Sequence, residues 1–198
     1  MGAIEFIEKI KKNKISIKKH LFLTWRCNLR CRHCYNYLPQ KRDLPTGEIR
    51  SELNRFAKEG CLFLCLSGGE PLLRKDFLSI AKYAVSRSFA VILDTNATLI
   101  TPALADNINQ LNFSLIRITL LGAKADTHER ITGVKGSFEK TFNAIKLLKE
   151  KRINTLLQTT IMKENASEVE EIKALATKVG VDYKFSSFRP FSKQSIEA

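Results

Sequence analysis

Between residues 27 and 34 the chain reads Cys27-Asn28-Leu29-Arg30-Cys31-Arg32-His33-Cys34, three thiols spaced four and then three residues apart. A loop that short can turn its thiolates onto one small metal centre, and soft thiolates suit iron–sulfur clusters, zinc or copper(I). Structural zinc asks for a fourth ligand in a closed tetrahedron. The later cysteines, Cys61 and Cys65, stand in one apolar strand-like run and cannot close such a site together, and His33, set between two of the loop cysteines, is badly placed to do so. Three thiolates on a four-iron cube leave one iron open to another ligand. Unconnected buried thiols would need apolar neighbours, whereas these stand among Arg26, Arg30, Arg32 and His33.

Other stretches carry site-like chemistry. Ser67-Gly68-Gly69-Glu70-Pro71 has paired glycines, which let a backbone approach a ligand closely, and a carboxylate suited to an ammonium group. Thr95-Asn96 follows an apolar run. Arg117 and Thr119 fall on one face of a strand-like run, and Gln158 and Thr160 alternate on another. Arg130 and His128 lie in Asp126-Thr127-His128-Glu129-Arg130-Ile131-Thr132-Gly133. Phe185 and Phe188 could flank a planar ring, although aromatic residues on a strand usually pack.

These stretches sit in a strand-then-helix rhythm. Strands are expected over 21–24, 61–66, 90–93, 115–120, 155–161 and 182–188. Helices are expected over 47–59, capped by Thr46, and over 75–86. A further helix starts at Thr101-Pro102 with proline in its first position. The next is capped by Ser137, and the last opens on a capping box in Ser167-Glu168-Val169-Glu170. Such alternation implies a parallel sheet with crossover helices, either open and doubly wound or curled into three-quarters of a barrel. In both, functional loops follow the C-terminal ends of the strands, which is where the cysteine loop and Gly68-Gly69-Glu70 fall. Cys61 and Cys65, four apart on one strand, are roughly 13 Å from each other and are expected to share a face as small buried hydrophobes.

The chain has 198 residues, 44 % of them hydrophobic, and a formal net charge of +13. No run approaches the ~20 apolar residues of a membrane helix, and the N-terminus lacks a cleavable apolar core. Five cysteines, three of them clustered, suit a reducing cytoplasmic setting. The positive charge is spread over many segments apart from the Lys9–Lys19 run, so nucleic acid is not expected as a partner.

The C-x3-C-x2-C spacing followed by Tyr35 resembles the cluster loop of radical S-adenosylmethionine (radical SAM) enzymes, in particular the SPASM-type peptide maturase and molybdenum-cofactor cyclase branch. The likeness runs from about Leu21 to Pro190. It implies an α/β fold, a partial (β/α)6 TIM-like barrel. It implies one 4Fe-4S cluster on Cys27, Cys31 and Cys34, and SAM held by Gly68, Gly69, Glu70, Asn96, Thr119 and Arg130. It also implies an oxidoreductase or lyase acting on a small-molecule or peptide substrate, with an electron donor such as flavodoxin or ferredoxin. Two departures stand out: Ala97 where related enzymes often have Gly, and Leu121 where they often have Asp. Residues 1–18 would be a basic arm or helix and 19–198 the core, with no auxiliary-cluster domain. The alternative is a non-catalytic metal-binding or peptide-binding module on the same core.

Overall fold

A computed structural model describes residues 16–34 and 42–187. The expectations for the basic arm before residue 16, for Tyr35 and for Phe188 lie outside the described residues. Six strands, β1 (Lys18–Phe22), β2 (Phe63–Ser67), β3 (Ala90–Thr95), β4 (Leu115–Thr119), β5 (Thr155–Ile161) and β6 (Asp182–Ser187), form one sheet in sequence order. Every adjacent pair is parallel. The helices between them are α1 (Thr46–Lys58), α2 (Phe77–Ser86), α3 (Pro102–Gln110), α4 (Ala125–Thr132), α5 (Ser137–Glu150) and α6 (Val169–Val179).

Alternation sorts each strand into two faces. Leu21, Leu64, Leu66, Val91, Leu93, Ile116, Ile118 and Leu157 form a continuous apolar core with Ile49, Leu53 and Phe56 of α1, Ile80 of α2, Ile108 of α3, Ile145 of α5 and Ile172 of α6. The other face is polar: Ser67 of β2, Asp94 of β3, Arg117 of β4, Gln158 of β5 and Ser186 of β6 all line one cavity. In a flat sheet β2 and β6 would stand roughly 19 Å apart at strand spacing. Sharing a single cavity therefore requires the sheet to curl, and the architecture is the partial (β/α)6 barrel.

Local details differ from the sequence expectations for identifiable reasons. β1 begins at Lys18 and ends at Phe22, before Leu23-Thr24, although the Leu23 amide still donates to the Ser67 carbonyl at 2.8 Å. None of the three expected hydroxyl or capping-box caps forms. The Thr46 hydroxyl instead donates to Asp76 at 2.5 Å, and Ser137 shares a 2.8 Å bond with Thr132. Glu168 is buried and accepts from the Ala123 amide at 2.8 Å and the Thr127 hydroxyl at 2.5 Å, holding the start of α4. Thr101 does cap α3, accepting from the Leu104 amide at 3.2 Å. Cys61 precedes β2 and belongs to the apolar core, whereas Cys65 points to the cavity side beside Asp94. The two cysteines therefore do not share a face.

Candidate active site

The cysteine loop and the Gly68-Gly69-Glu70 segment extend the β1–β2 pairing beyond the strands. The Gly69 amide donates to the Thr24 carbonyl at 2.7 Å and the Glu70 amide to the Arg26 carbonyl at 2.8 Å. The approach is too close for side chains. A Cβ on Gly68, whose φ is +147°, would stand 2.4 Å from the Thr24 oxygen, and one on Gly69 would stand 2.2 Å from the Arg26 oxygen. Asp43 steadies the entry to the loop, accepting from the Thr24 hydroxyl at 2.9 Å and the Arg26 guanidinium at 3.2 Å. Arg74, buried behind it, donates to the Leu23 carbonyl at 2.8 Å and the Leu44 carbonyl at 3.0 Å and pairs with Asp76.

Two further elements hold the loop. The last carbonyls of α4 accept from it, Thr132 from the Arg30 amide at 2.8 Å and Ile131 from the Arg32 amide at 3.0 Å. From the end of β3, the Asn96 amide donates to the Asn28 side-chain oxygen at 2.9 Å, while Asn28 donates to Thr98 at 2.7 Å. Asn96 is held in turn by Glu70, whose carboxylate accepts from the Asn96 backbone at 2.8 Å, the Thr95 hydroxyl at 2.8 Å and the Leu72 amide at 3.1 Å. Burial pushes the Glu70 carboxyl up to about 7, against three donors that favour its ionised form. Ala97 takes the left-handed conformation, with φ at +62°, that a glycine would adopt more easily. Its fully buried methyl is part of the apolar core.

A cavity of about 330 Å³ opens at the C-terminal ends of the strands. Cys27, Cys31, Cys34, Gly68, Gly69, Asn96 and Thr119 all line it. Two of the residues expected to bind the cofactor do not line it. Glu70 is fully buried with its carboxylate turned to backbone and side-chain donors. Arg130 stands on the outer face of α4, paired with Asp126 at 2.7 Å. His128 is likewise internal to the fold, accepting from the Leu121 amide at 3.1 Å, and burial lowers its pKa to about 4.

The three thiols fit an iron–sulfur cluster. They converge on one cavity, and the carboxylate that lines it among the described residues, Asp94, is already paired with Arg117, which leaves the soft thiolates to choose the metal. Burial raises the pKa of Cys27, and that of Cys31 to about 12, so these two thiols stay protonated at neutral pH while free of metal. Metal ligation would displace those protons. The Leu29 amide, 3.4 Å from the Cys27 sulfur, and the Asn96 amide, 3.9 Å from it, are placed to donate to a thiolate there.

Sequence reasoning missed Asn28, Thr132 and the ion pair beneath the cavity. In that pair Arg117 bonds Asp94 at 2.5 and 2.7 Å and the Cys65 sulfur at 3.0 Å. The readable signal for the pair was Asp94 itself, a charge standing inside the apolar run Ala90-Val91-Ile92-Leu93 and Thr95.

The model of the radical SAM superfamily matches residues 21–176, and the chain belongs to that family. Its members use a 4Fe-4S cluster and SAM. Among curated proteins, the AdoMet-dependent heme synthase of Methanosarcina barkeri is 33% identical over 163 residues, covering 80% of this chain and 46% of the relative. The mycofactocin maturase MftC of Mycolicibacterium smegmatis is 28% identical over 171 residues, covering 85% of this chain and 43% of the relative. The chain thus spans somewhat under half the length of these relatives. Among solved structures, Streptococcus suis SuiB bound to S-adenosylmethionine superposes with a TM-score of 0.82 at 16% identity, covering 96% of this chain and 46% of that one. SuiB bound to its precursor peptide SuiA superposes with a TM-score of 0.80.

Proposed function

We propose that this chain cleaves SAM reductively at a single 4Fe-4S cluster held by Cys27, Cys31 and Cys34, and so starts radical chemistry in peptide or cofactor maturation. The observation that carries the reading is the convergence of the three thiols with Gly68, Gly69, Asn96 and Thr119 on one cavity. When bound, the cluster supplies the electron that splits SAM into methionine and a hydrogen-abstracting 5′-deoxyadenosyl radical. The residues of the chain supply position and shelter. Gly68 and Gly69 leave their backbone bare where the methionine part of SAM would lie, and Thr119 offers a hydroxyl across the cavity. Glu70 acts indirectly, by fixing Asn96, which fixes Asn28 in the cysteine loop. The SuiB structure bound to its precursor peptide supports a peptide substrate, and the mycofactocin maturase and the heme synthase support maturation of a cofactor or its precursor. The setting is cytoplasmic and reducing, with a flavodoxin or ferredoxin as electron donor. No helix among the described residues is long and apolar enough to cross a membrane.

Anaerobic reconstitution followed by dithionite and SAM tests this. The expected result is release of 5′-deoxyadenosine by the parent and none by Cys27→Ala, Cys31→Ala or Cys34→Ala. Turnover retained in any of the three would defeat the assignment. Zinc uptake with no iron would favour the non-catalytic metal-binding module instead.

A further inference from the structure

The inner face of β4, β5 and β6 carries hydrogen-bonding groups that the fold does not use. Thr119, Gln158, Thr160 and Ser186 line the cavity, and their side chains bond to no other described residue. The contrast with the other face of the same sheet is sharp: there Thr155 donates to the Ile153 carbonyl at 2.9 Å and Thr159 to the Leu120 carbonyl at 2.7 Å. At the floor, Arg117 spends Nε and Nη2 on Asp94 and Cys65. Its Nη1 makes no hydrogen bond to a described residue, on a side chain that is 18 % exposed and lines the cavity.

The floor is not a metal site, although donor atoms of His20, Cys65 and Asp94 lie within 4.8 Å of one another. The Arg117 guanidinium already takes both Asp94 oxygens and the Cys65 sulfur, and a divalent ion would have to share them with that fixed positive charge. The floor is also electrically balanced. Asp94 cancels Arg117, and burial lowers the pKa of His20, which favours its neutral form.

We propose that Arg117, with Gln158 and Thr160, forms the substrate-recognition subsite of this cavity, and that the group it takes is an uncharged amide, as in a peptide, rather than a carboxylate. This rests on the radical SAM reading of the cavity mouth. An amide carbonyl accepts from Nη1 while its N–H meets the Gln158 oxygen or a wall hydroxyl, so donors and acceptors are both matched. A carboxylate would give up its water to a floor whose positive charge is already spent on Asp94, and would be left uncompensated. Asp94 and Cys65 hold the guanidinium plane still, so Arg117 meets the amide in one orientation.

Ligand-detected NMR on protein without cluster or SAM tests the subsite directly. The probes are a pool of N-acetyl dipeptide amides, the same dipeptides as free acids, and a porphyrin tetracarboxylate. The amides are expected to bind at least roughly tenfold more tightly than the acids, and Arg117→Met to weaken the amides about tenfold. Gln158→Ala, which removes a half-buried side chain that bonds to no other described residue, is expected to weaken them too and keeps the test open should Arg117→Met misfold. Equal binding of the acids, preference for the porphyrin, no binding of the amides, or amide binding unmoved by both variants would overturn the proposal. SAM cleavage by the reconstituted parent separates the two readings. Turnover without amide preference sinks the subsite alone, and amide preference without turnover supports the subsite while sinking the enzyme reading.

Discussion

At the scale of single residues, the site is held by groups that never touch the reacting atoms. Glu70→Gln replaces one acceptor oxygen by a donor, set against Asn96, Thr95 or Leu72. The expected cost is about 1–3 kcal/mol, read as a lower urea midpoint together with weaker iron retention; an unchanged midpoint would return Glu70 to a passive place. His128 makes a pH-dependent contribution. Its folded pKa is lowered by burial from 6.5 to about 4, so the unfolded chain binds the proton first. The stability of the neutral, buried form is full above pH 6.5 and is lost as pH falls toward 4. The total is on the order of 3 kcal/mol. His128→Leu should flatten the slope of stability between those two pH values, and a parallel slope in parent and variant would contradict this. The cysteine spacing and Gly68-Gly69-Glu70 were legible because each is a local run of residues. The role of Glu70 was not, since its three donors come from Leu72, from Thr95 at the end of the next strand and from Asn96 just past it. Asp94 and Arg117 face each other only once β3 and β4 are in register.

At the scale of elements, the cysteine loop depends on backbones that come too close for side chains. Gly69→Ala places a methyl group 2.2 Å from the Arg26 carbonyl oxygen, so the loop must move. A loss of several kcal/mol is expected, about what a disrupted buried hydrogen-bond network costs, and most of the iron should go with it. Gly47→Ala is the matched control: a Cβ there meets nothing within 4 Å, and α1 should gain up to about 1 kcal/mol from helix propensity. Both are read from denaturation midpoints and iron per chain; equal behaviour of the two variants would refute the close-approach argument. Strand β5 was legible to the residue because Thr155–Ile161 is an alternating Thr- and Leu-rich run between Asn154 and the turn that begins at Lys163. The ends of β1 and the helix caps were not. A buried stretch such as Leu23-Thr24 can continue past a strand into a loop, and a hydroxyl at a helix start can find a better partner in another element, as Thr46 does in Asp76.

For the whole molecule, the inventory of thiols limits the number of clusters. Cys61 lies in the apolar core and Cys65 is held by Asp94 and Arg117, so neither reaches the other or the loop cysteines. The double variant Cys61→Ala, Cys65→Ala should bind as much iron per chain as the parent. Iron and sulfide halved in that variant, or two distinct clusters resolved in the parent's spectra, would contradict a single centre. The partial barrel was legible as strand–helix alternation, and its curl only through resemblance, because periodicity cannot tell an open sheet from a curved one. The order of the sheet has a consequence for biogenesis. The strands stand side by side in the order in which a ribosome makes them. Each newly emerged strand finds its only earlier neighbour already in place at the growing margin, and no finished ladder has to be parted to admit a latecomer. Assembly can therefore run vectorially with synthesis, as domains that fold during translation do, and the polar wall of β5 and β6 is the last part of the chamber to be built.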